Sequence, residues 1–454
     1  MKRRKESKDE LERVLVYQDK ILSEIRTESN QRSQNTELEI SRLEEELREK
    51  GIDIERIKRL RTQKHNDVLV VPSFDQICKE AERVIGKECE FESIFTPEEI
   101  KENKEYIKQL NREFRQLNRL DSVDIAICAL ASLVSAVVNI LMVGIPQKGK
   151  EGLTAGPLSD FIRNRFDVCF PEEEMQRLAG MKESKVPYDA QDNRNTTERV
   201  VGLSSYYHRL LSLGHDPLLG FVVGVFDIIT GRMTTIDKEG KIVSQIMENY
   251  SERRESDIFS ALAKQVIHLK TDVTTSMGLP VPLMGVFNLL QIGDIGKEEQ
   301  TVAEIVQGMY YEGYDFIHFC AMSMPVMITE LVVRIAYAFK RIHEGYSIRE
   351  SIPFSKDRGK CPKLNTMLFV AHSGATAVNA GYVYFKKSPL AINYPQWLAF
   401  ARYSYGQLKW ILREKPNARI AYVNKRIEDD WEKLEKTIDD SFVEFSKGYK
   451  VVFE

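Results

Sequence analysis

The feature that most constrains the fold is a long apolar segment without a charged side chain, residues 125–146. A helix needs about 20 residues to cross a hydrocarbon core of roughly 30 Å, so this segment is long enough to span a bilayer. The alternative is a buried helix of a large soluble helical protein, because length alone does not separate the two. Three arginines precede the segment and favour a cytoplasmic N-terminus, whereas two lysines follow it and weaken that argument.

Further apolar segments follow, and two of them are interrupted by glycine and proline. Residues 210–231 contain Pro217, and residues 277–296 contain Pro280 and Pro282. Each has only about 15 residues after its proline, which is short for a bilayer span. Paired segments of this kind are typical of discontinuous helices that line a cavity, and the alternative is a pair of buried half-helices. The remaining apolar segments are residues 316–337, 364–385 and 389–401.

The N-terminal region has a different composition. Of its first 120 residues 53 are charged, against 80 of the remaining 334, so most of its surface faces water. A narrow apolar stripe flanked by charges favours a coiled coil, which would make the protein an oligomer. The polar run Thr27–Thr36 is either the loop of a helical hairpin or a weak stretch of one rod, and a solvated helix packed on its own domain is the alternative. The stripe consists of Leu11, Leu15, Leu22, Ile25, Ile40, Leu43, Leu47, Ile54 and Ile57.

Local signals add three elements before the first apolar segment. Residues 67–71 are one short strand or a linker, and residues 75–86 are predicted to be helical. Thr96-Pro97-Glu98-Glu99 marks the start of a helix that runs to about Leu120, with a capping hydroxyl, an N1 proline and acids at the positive end of the dipole.

We therefore predict a mainly all-α fold, in which a coiled coil or helical hairpin precedes a membrane-embedded helical body with broken helices. The predicted domains are residues 1–65 (coiled coil or hairpin), 66–122 (cytosolic helical linker), 123–412 (apolar body, with polar sensing insertions at 147–200 and 237–275) and 413–454 (charged C-terminal helix and tail).

Catalytic motifs are weak in this sequence. Residues 144–151 nearly match a phosphate-binding loop, but Glu151 replaces the magnesium-binding hydroxyl and the loop follows a predicted helix rather than a strand. His215-Asp216-Pro217 can bind metal, relay protons or form a turn in which the aspartate caps and the proline opens the next helix, and the turn is favoured. His208 lies seven residues earlier, but Gly214 and Pro217 argue against one helix through both histidines. We predict no catalytic residue, no metal ligand and no cofactor, and a protein that is not an enzyme.

Basic residues in the polar insertions are the predicted ligand-binding residues, because they can contact the phosphates of a nucleotide or oligonucleotide. A solvated surface is the alternative, since the net charge of -3 excludes a strongly basic nucleic-acid-binding protein. Predicted pore or gating residues are polar or small positions within the apolar body. The ligand-binding set is Lys148, Lys150, Arg163, Arg165, Arg253 and Arg254, and the pore set is Asn139, Gly220, Asp227, Glu330 and Arg334.

The layout and two stretches, GHDPLLGFVVGVFDIITG (214–231) and FVAHSGATAVNAGYVYF (369–385), resemble the membrane subunit of Hailong-type anti-phage defence systems. This resemblance covers organisation rather than a diagnostic motif, and no functional residue is carried over from it. It implies a homo-oligomeric channel in the bacterial inner membrane, with a cytoplasmic N-terminus, that opens on binding a DNA oligomer made by a partner nucleotidyltransferase and depolarises the cell.

Two other functions stay open from the sequence. One is a soluble helical scaffold that oligomerises through the coiled coil. The other is a membrane-bound enzyme acting on lipid or nucleotide, with His215, Asp216 and His372 in its site.

Overall fold

The described part of the chain is mostly helical, with 74% helix and 6% strand, which confirms the mainly all-α prediction. Membrane embedding and coiled-coil pairing stay predictions. The computed structural model describes residues 2–50, 68–86, 94–149, 152–275, 277–295, 299–352, 361–447 and 450–453. They form two compact units, Met1–Leu117 with Asn417–Glu454 (unit 1) and Asn118–Pro416 (unit 2).

In chain order, the helices and strands are α1 (Lys2–Glu49), β1 (Val68–Val71), α2 (Phe74–Ile85), α3 (Pro97–Asn118), α4 (Ser122–Val137, continued by π-helical Val138–Val143), β2 (Gln147–Gly149), β3 (Gly152–Thr154), α5 (Pro157–Cys169), α6 (Glu172–Gly180), α7 (His208–Leu211), α8 (Val223–Thr230), β4 (Arg232–Ile236), β5 (Ile242–Ile246), α9 (Ile258–Asp272), α10 (Val302–Tyr311), α11 (Phe316–His343), α12 (Ile348–Ser351), α13 (Pro362–Lys386), α14 (Tyr394–Lys409, continued by π-helical Trp410–Glu414), α15 (Lys415–Ser446) and β6 (Lys450–Phe453).

Unit 1 joins both ends of the chain. β1 and β6 pair in parallel, and Phe114 of α3 packs on Tyr422 of α15 with ring centroids 5.7 Å apart. Residues 68–71 form a strand rather than a linker, and the second helix and the helix that starts after Thr96 are confirmed. The Thr96 hydroxyl caps this helix as predicted, and the Glu99 side chain also accepts a hydrogen bond from the Thr96 backbone N–H. α1 is one continuous helix through the polar run, so this part is a rod rather than a hairpin. Ile54 and Ile57 of the predicted stripe lie outside the described residues.

Unit 2 contains a four-helix bundle of α4, α11, α13 and α14. Lys340 near the end of α11 and Lys363 at the start of α13 both contact the buried Asp124 carboxylate, at 2.7 Å and 2.8 Å. These contacts bring the end of α11 and the starts of α4 and α13 together, so α11 runs antiparallel to α4 and α13. Small residues let α4 and α13 approach closely, because a Cβ on Gly374 would lie 2.6 Å from Ser132 Oγ.

Two helical stretches are long and apolar enough to cross a membrane, Pro97–Val143 and α11. Only 28% and 39% of their most apolar windows are buried. Leu133 and Leu141 on α4 and Leu331 on α11 are among the exposed side chains. These helices therefore present apolar faces that the described part of the chain leaves uncovered.

The two interrupted apolar segments fold into short pieces, as their glycines and prolines indicate. Residues 210–231 form the end of α7, two 3₁₀ turns (Leu213–His215 and Leu219–Phe221) and α8, which leads into the β4–β5 hairpin. Residues 277–296 contain the 3₁₀ helix Met284–Leu289. Together with α9 these pieces form the layer of unit 2 that carries the candidate site.

Candidate metal centre

Five metal-ligating side chains from four segments of unit 2 converge in one buried cluster. His208 begins α7, His215 ends a 3₁₀ turn, and Asp189 lies in the loop after α6. His268 and Asp272 lie four residues apart on α9, which places them on the same helix face.

The ligand atoms of this cluster are separated by distances that suit a shared metal ion. Asp189 Oδ1 lies 3.4 Å from His208 Nε2 and 3.6 Å from His215 Nε2. Asp272 Oδ2 lies 3.7 Å from His215 Nε2 and 3.5 Å from His268 Nε2. Bonds of about 2.0–2.1 Å to a tetrahedral zinc ion would place neighbouring ligand atoms about 3.3 Å apart. Two ligand groups thus overlap at His215, and the atoms within each lie within 4.8 Å of one another.

The histidine rings are oriented with their Nε2 atoms toward the cluster. His208 Nδ1 lies 2.9 Å from the Ser205 carbonyl oxygen, and His268 Nδ1 lies 2.9 Å from the Ser184 carbonyl oxygen. A carbonyl oxygen can only accept a hydrogen bond, so each Nδ1 carries a proton, and Nε2 is the ring atom that can bind a metal ion when the ring is neutral. This is the arrangement that fixes the tautomer of metal-binding histidines.

Several buried polar atoms in the cluster lack a hydrogen-bond partner among the described residues. They include Nε2 of His208 and His268 and both ring nitrogens of His215. His215 is fully buried, and the other two histidines are at most 4% exposed. Buried polar groups are normally paired, so unpaired ring nitrogens in two overlapping groups of possible metal ligands indicate a missing ligand.

The cluster is held in place by a second layer of contacts. The Arg209 guanidinium binds the Asp272 carboxylate through two nitrogens, at 3.0 Å and 3.1 Å, and so fixes its orientation. The Tyr188 ring packs edge-on against His215 with centroids 5.0 Å apart, and its hydroxyl donates to the Gln265 side chain. Gln265 Nε2 in turn donates to the Gly214 carbonyl oxygen at 2.8 Å.

Electrostatics keep the ligands in the protonation states that metal binding requires. Burial lowers the pKa of His215 to about 4, so its ring is neutral at pH 7. Burial opposes ionisation of Asp189, but the imidazoles of His208 and His215 hold its pKa well below its usual range. The cluster therefore offers a neutral His215 imidazole and an ionised Asp189 carboxylate at neutral pH.

The residues beside His215 have structural roles. The Asp216 carboxylate accepts hydrogen bonds from the backbone N–H groups of Leu218, Leu219 and Leu283, at 2.9, 2.9 and 2.6 Å. The predicted turn, in which the aspartate caps the segment after Pro217, is confirmed. Burial raises the pKa of Asp216 despite these bonds.

The predicted pore or gating residues divide between the two layers of unit 2. In the bundle, Glu330 and Arg334 form the expected i,i+4 pair, and Asn139 accepts a hydrogen bond from Asn393 at 2.6 Å. In the layer around the cluster, Asp227 accepts from the backbone and hydroxyl of Thr234, and Gly220 packs against Gln265. Of these residues, the structure brings only Glu330 and Arg334 together, and pore lining stays a prediction.

His372, a candidate of the membrane-bound enzyme hypothesis, lies in the bundle rather than in the cluster. It stacks on Tyr403 with ring centroids 4.9 Å apart and lies 3.8 Å from Glu330. His215, Asp216 and His372 thus have different contacts and do not form one site.

The predicted ligand-binding residues have separate partners. Arg163 binds Asp315 through two 3.0 Å hydrogen bonds, and Arg165 lies over the Phe161 ring. Arg253 and Arg254 donate to backbone carbonyl oxygens, of Val186 at 3.2 Å and Ile229 at 2.8 Å. Lys148 lies over two tyrosine rings, and Lys150 lies outside the described residues.

Sequence reasoning missed the cluster because its ligands are dispersed along the chain. His208 and His215 meet with ring centroids 5.4 Å apart although no helix joins them. The spacing of His268 and Asp272 on a helix is the one local signal for a shared ligand. Asp189 has no such signal in the sequence.

Comparison with protein-family models, with curated proteins and with solved structures finds no match to this chain. The resemblance to Hailong-type membrane subunits therefore stays a prediction, and function is argued from the site itself.

Proposed function

We propose that unit 2 binds a divalent transition-metal ion at the His/Asp cluster and uses it in a hydrolytic reaction. The observation that carries this proposal is a pair of possible ligand groups that share His215, in which buried ring nitrogens of three histidines lack a hydrogen-bond partner among the described residues. The proposal departs from the sequence-based expectation of a protein that is not an enzyme, because no sequence pattern brought these residues together.

The donor set supports a catalytic ion over a purely structural one. Structural zinc sites are rich in cysteine thiolates, whereas catalytic sites use histidine and carboxylate ligands and keep one position open. Imidazole and carboxylate donors suit zinc, manganese or iron. The Asp189 side chain is 29% exposed, so the cluster has an edge toward solvent where a water molecule and a substrate can enter.

Each residue then has a defined task. His208, His215 and His268 would hold the ion with neutral nitrogens, and Asp189 and Asp272 would balance its charge. A bound ion of this kind lowers the pKa of a coordinated water to about 7 and so supplies a nucleophile at neutral pH. Arg209 would keep Asp272 oriented toward the ion.

Metal content and hydrolysis test the proposal together. The full-length protein is stripped with chelator, reloaded with zinc, manganese or iron(II), desalted and analysed by mass spectrometry for bound metal. We expect about one ion per chain, lost in His215→Ala and His268→Ala but retained in the control His343→Ala, whose histidine is exposed.

The loaded protein is then assayed with a chromogenic phosphodiester and a chromogenic carboxyl ester. Turnover of one probe that disappears with the metal supports the hydrolase. Retention of metal by His215→Ala refutes the site, and a metal-loaded protein inert toward both probes refutes the catalytic part.

The uncovered apolar faces of α4 and α11 favour a second candidate function, the homo-oligomeric membrane effector. In this proposal the bundle inserts into the bacterial inner membrane with the N-terminus in the cytoplasm. The assembly opens as a pore when it binds a nucleotide or oligonucleotide made by a partner nucleotidyltransferase. Leu133 and Leu331, 61% and 59% exposed, support it because lipid would cover such side chains.

A charge placed on the exposed bundle face tests membrane insertion. An arginine at a lipid-facing position costs about 2.5–3.5 kcal/mol in a membrane, whereas an exposed surface substitution in water changes stability by about 0.5 kcal/mol or less. We expect wild-type protein and Leu43→Arg in α1 to stay in the pellet after an alkaline carbonate wash, and Leu133→Arg to be released or degraded. A wild-type protein that washes off contradicts insertion and favours the soluble scaffold.

A further inference from the structure

Three tyrosine rings cluster where the segment before His208 meets the end of α10. Tyr207 and Tyr311 lie nearly parallel, with centroids 6.2 Å apart and planes 24° apart, and Tyr206 meets Tyr311 edge-on at 5.9 Å. Tyr206 is 52% exposed and Tyr311 is 38% exposed. Exposed, mutually supported aromatic faces of this kind are suited to stacking with a planar ligand.

Two lysines lie over the same rings. Lys148 Nζ is 4.4 Å from the Tyr311 centroid and 6.0 Å from that of Tyr206, and Lys238 Nζ is 3.4 Å from the Tyr207 centroid. We call Tyr206, Tyr207, Tyr311, Lys148 and Lys238 the tyrosine–lysine patch.

The backbone around the patch accommodates this arrangement. Gly202 has a φ of +82°, and a Cβ there would overlap the aliphatic part of the Lys238 side chain. The glycine thus leaves room for Lys238 to cross over and reach the Tyr207 ring. A side chain at this position would displace one of the two positive charges.

The patch adjoins the metal cluster through the backbone. Tyr206 and Tyr207 immediately precede the ligand His208, and the His208 ring is hydrogen-bonded to the carbonyl oxygen of Ser205. Consecutive Cα atoms are about 3.8 Å apart, so a ligand stacked on Tyr206 lies within a few residues' length of the cluster.

We propose that the tyrosine–lysine patch binds nucleotides, with the base stacked on the exposed Tyr206 ring and the phosphate contacted by Lys148. Aromatic rings stack with any base, and a cation beside them attracts the phosphate. An aliphatic or a purely anionic ligand would use only one of these two features. Nucleotide binding does not depend on the proposed hydrolase, and the inference rests on it only for the reaction of the bound nucleotide. In that reaction water cleaves a P–O bond of the nucleotide: the hydroxyl group is added to phosphorus, and a proton goes to the departing oxygen.

Fluorescence anisotropy with the full-length protein tests the inference. The probes are a fluorescent mononucleotide and a short fluorescent single-stranded oligonucleotide, with inorganic tripolyphosphate as competitor. We expect Tyr206→Ala and Lys148→Ala each to weaken binding about tenfold or more, since loss of one stacked ring has an effect of that size. The control Lys241→Ala removes an exposed lysine that pairs with Glu198 and should leave binding unchanged.

The outcomes of this experiment test nucleotide binding by the patch independently of metal binding by the cluster. Weaker binding in both patch variants, with normal binding in His268→Ala, supports a nucleotide site that does not need the ion. Tighter binding of the oligonucleotide than of the mononucleotide supports a strand as the ligand, and the reverse supports a free nucleotide. Absence of binding, equal affinity in Tyr206→Ala, or competition by tripolyphosphate as strong as by unlabelled nucleotide overturns the inference. The metal analysis described above reports on the hydrolase independently.

Discussion

Replacing His215 by leucine distinguishes a metal ligand from an ordinary core histidine. His215 is fully buried and its ring lies against Tyr188, His268 and His208, at centroid distances of 5.0, 5.0 and 5.4 Å. Neither ring nitrogen has a hydrogen-bond partner among the described residues. In the metal-free protein this ring is therefore a cost, because a buried unsatisfied polar group destabilises a fold by about 1–3 kcal/mol.

The expected magnitudes follow from these contacts. Without metal, His215→Leu removes the cost of the unsatisfied ring nitrogens, but the leucine packs imperfectly, which costs about 1–3 kcal/mol. The two effects therefore nearly cancel. With metal at a hundred times its Kd, the wild-type protein gains about 2.7 kcal/mol of stability, whereas the variant gains little. A change of that size corresponds to a shift of about 5–10 °C in Tm for a unit of this size.

Thermal unfolding with and without metal measures both the stability of the metal-free protein and the stabilisation by metal. Wild-type protein and His215→Leu should unfold at similar temperatures in chelator, and only the wild-type and the exposed-site control His343→Ala should be stabilised by zinc, manganese or iron(II). An equal response of wild-type and His215→Leu to every ion would refute the reasoning. So would a strongly destabilised metal-free variant, because it would mean that the ring nitrogens are satisfied without an ion.

Two further predictions concern the layer that supports the cluster. Gly224→Ala should destabilise the protein by about 1–3 kcal/mol in urea unfolding, because its Cβ would lie 2.5 Å from Gln265 Oε1. The control Gly308→Ala lies within α10, where a Cβ would meet nothing within 4 Å, and should stabilise the protein by up to about 1 kcal/mol. Burial raises the pKa of Asp227 from 3.8 to about 6, so its protonated form contributes stability that is fully present below pH 4 and lost as pH rises through 6. The stability of wild-type relative to Asp227→Asn should therefore fall between pH 4 and pH 6, and a flat difference would contradict this.

The sequence predicts helices well where its apolar pattern is long. The segment 125–146 contains most of α4 and its π-helical continuation, and residues 316–337 and 364–385 fall within α11 and α13. The start of α3 follows from local capping chemistry at Thr96. The parallel pairing of β1 with β6 could not be predicted, because it joins segments at opposite ends of the chain and each strand alone is only four residues long.

Glycines and acids within the apolar segments were harder to interpret. Gly220 and Gly224 have the spacing of membrane helix contacts, but in the structure they make room for the Gln265 side chain. Asp227 anchors the start of the β4–β5 hairpin through Thr234, and its role in lining a pore stays a prediction. Gln265 is distant in sequence from both glycines, so their spacing alone could not identify it as the partner.

The metal cluster shows the same limitation more strongly. Its histidines are seven and 53 residues apart, and the turn at Gly214 and Pro217 that argued against a shared helix is what folds His215 back toward His208. Helical periodicity relates only His268 to Asp272. The convergence with Asp189 depends on packing between loop and helix.

X-ray absorption spectroscopy at the edge of the bound metal tests the central claim most directly. Full-length protein reconstituted with one equivalent of zinc should show three imidazole ligands at about 2.0–2.1 Å together with carboxylate oxygen, and His268→Ala should lose one imidazole from that shell. A shell containing sulfur, a shell without imidazole, or an identical spectrum for His268→Ala would contradict the assignment of His208, His215 and His268 as ligands.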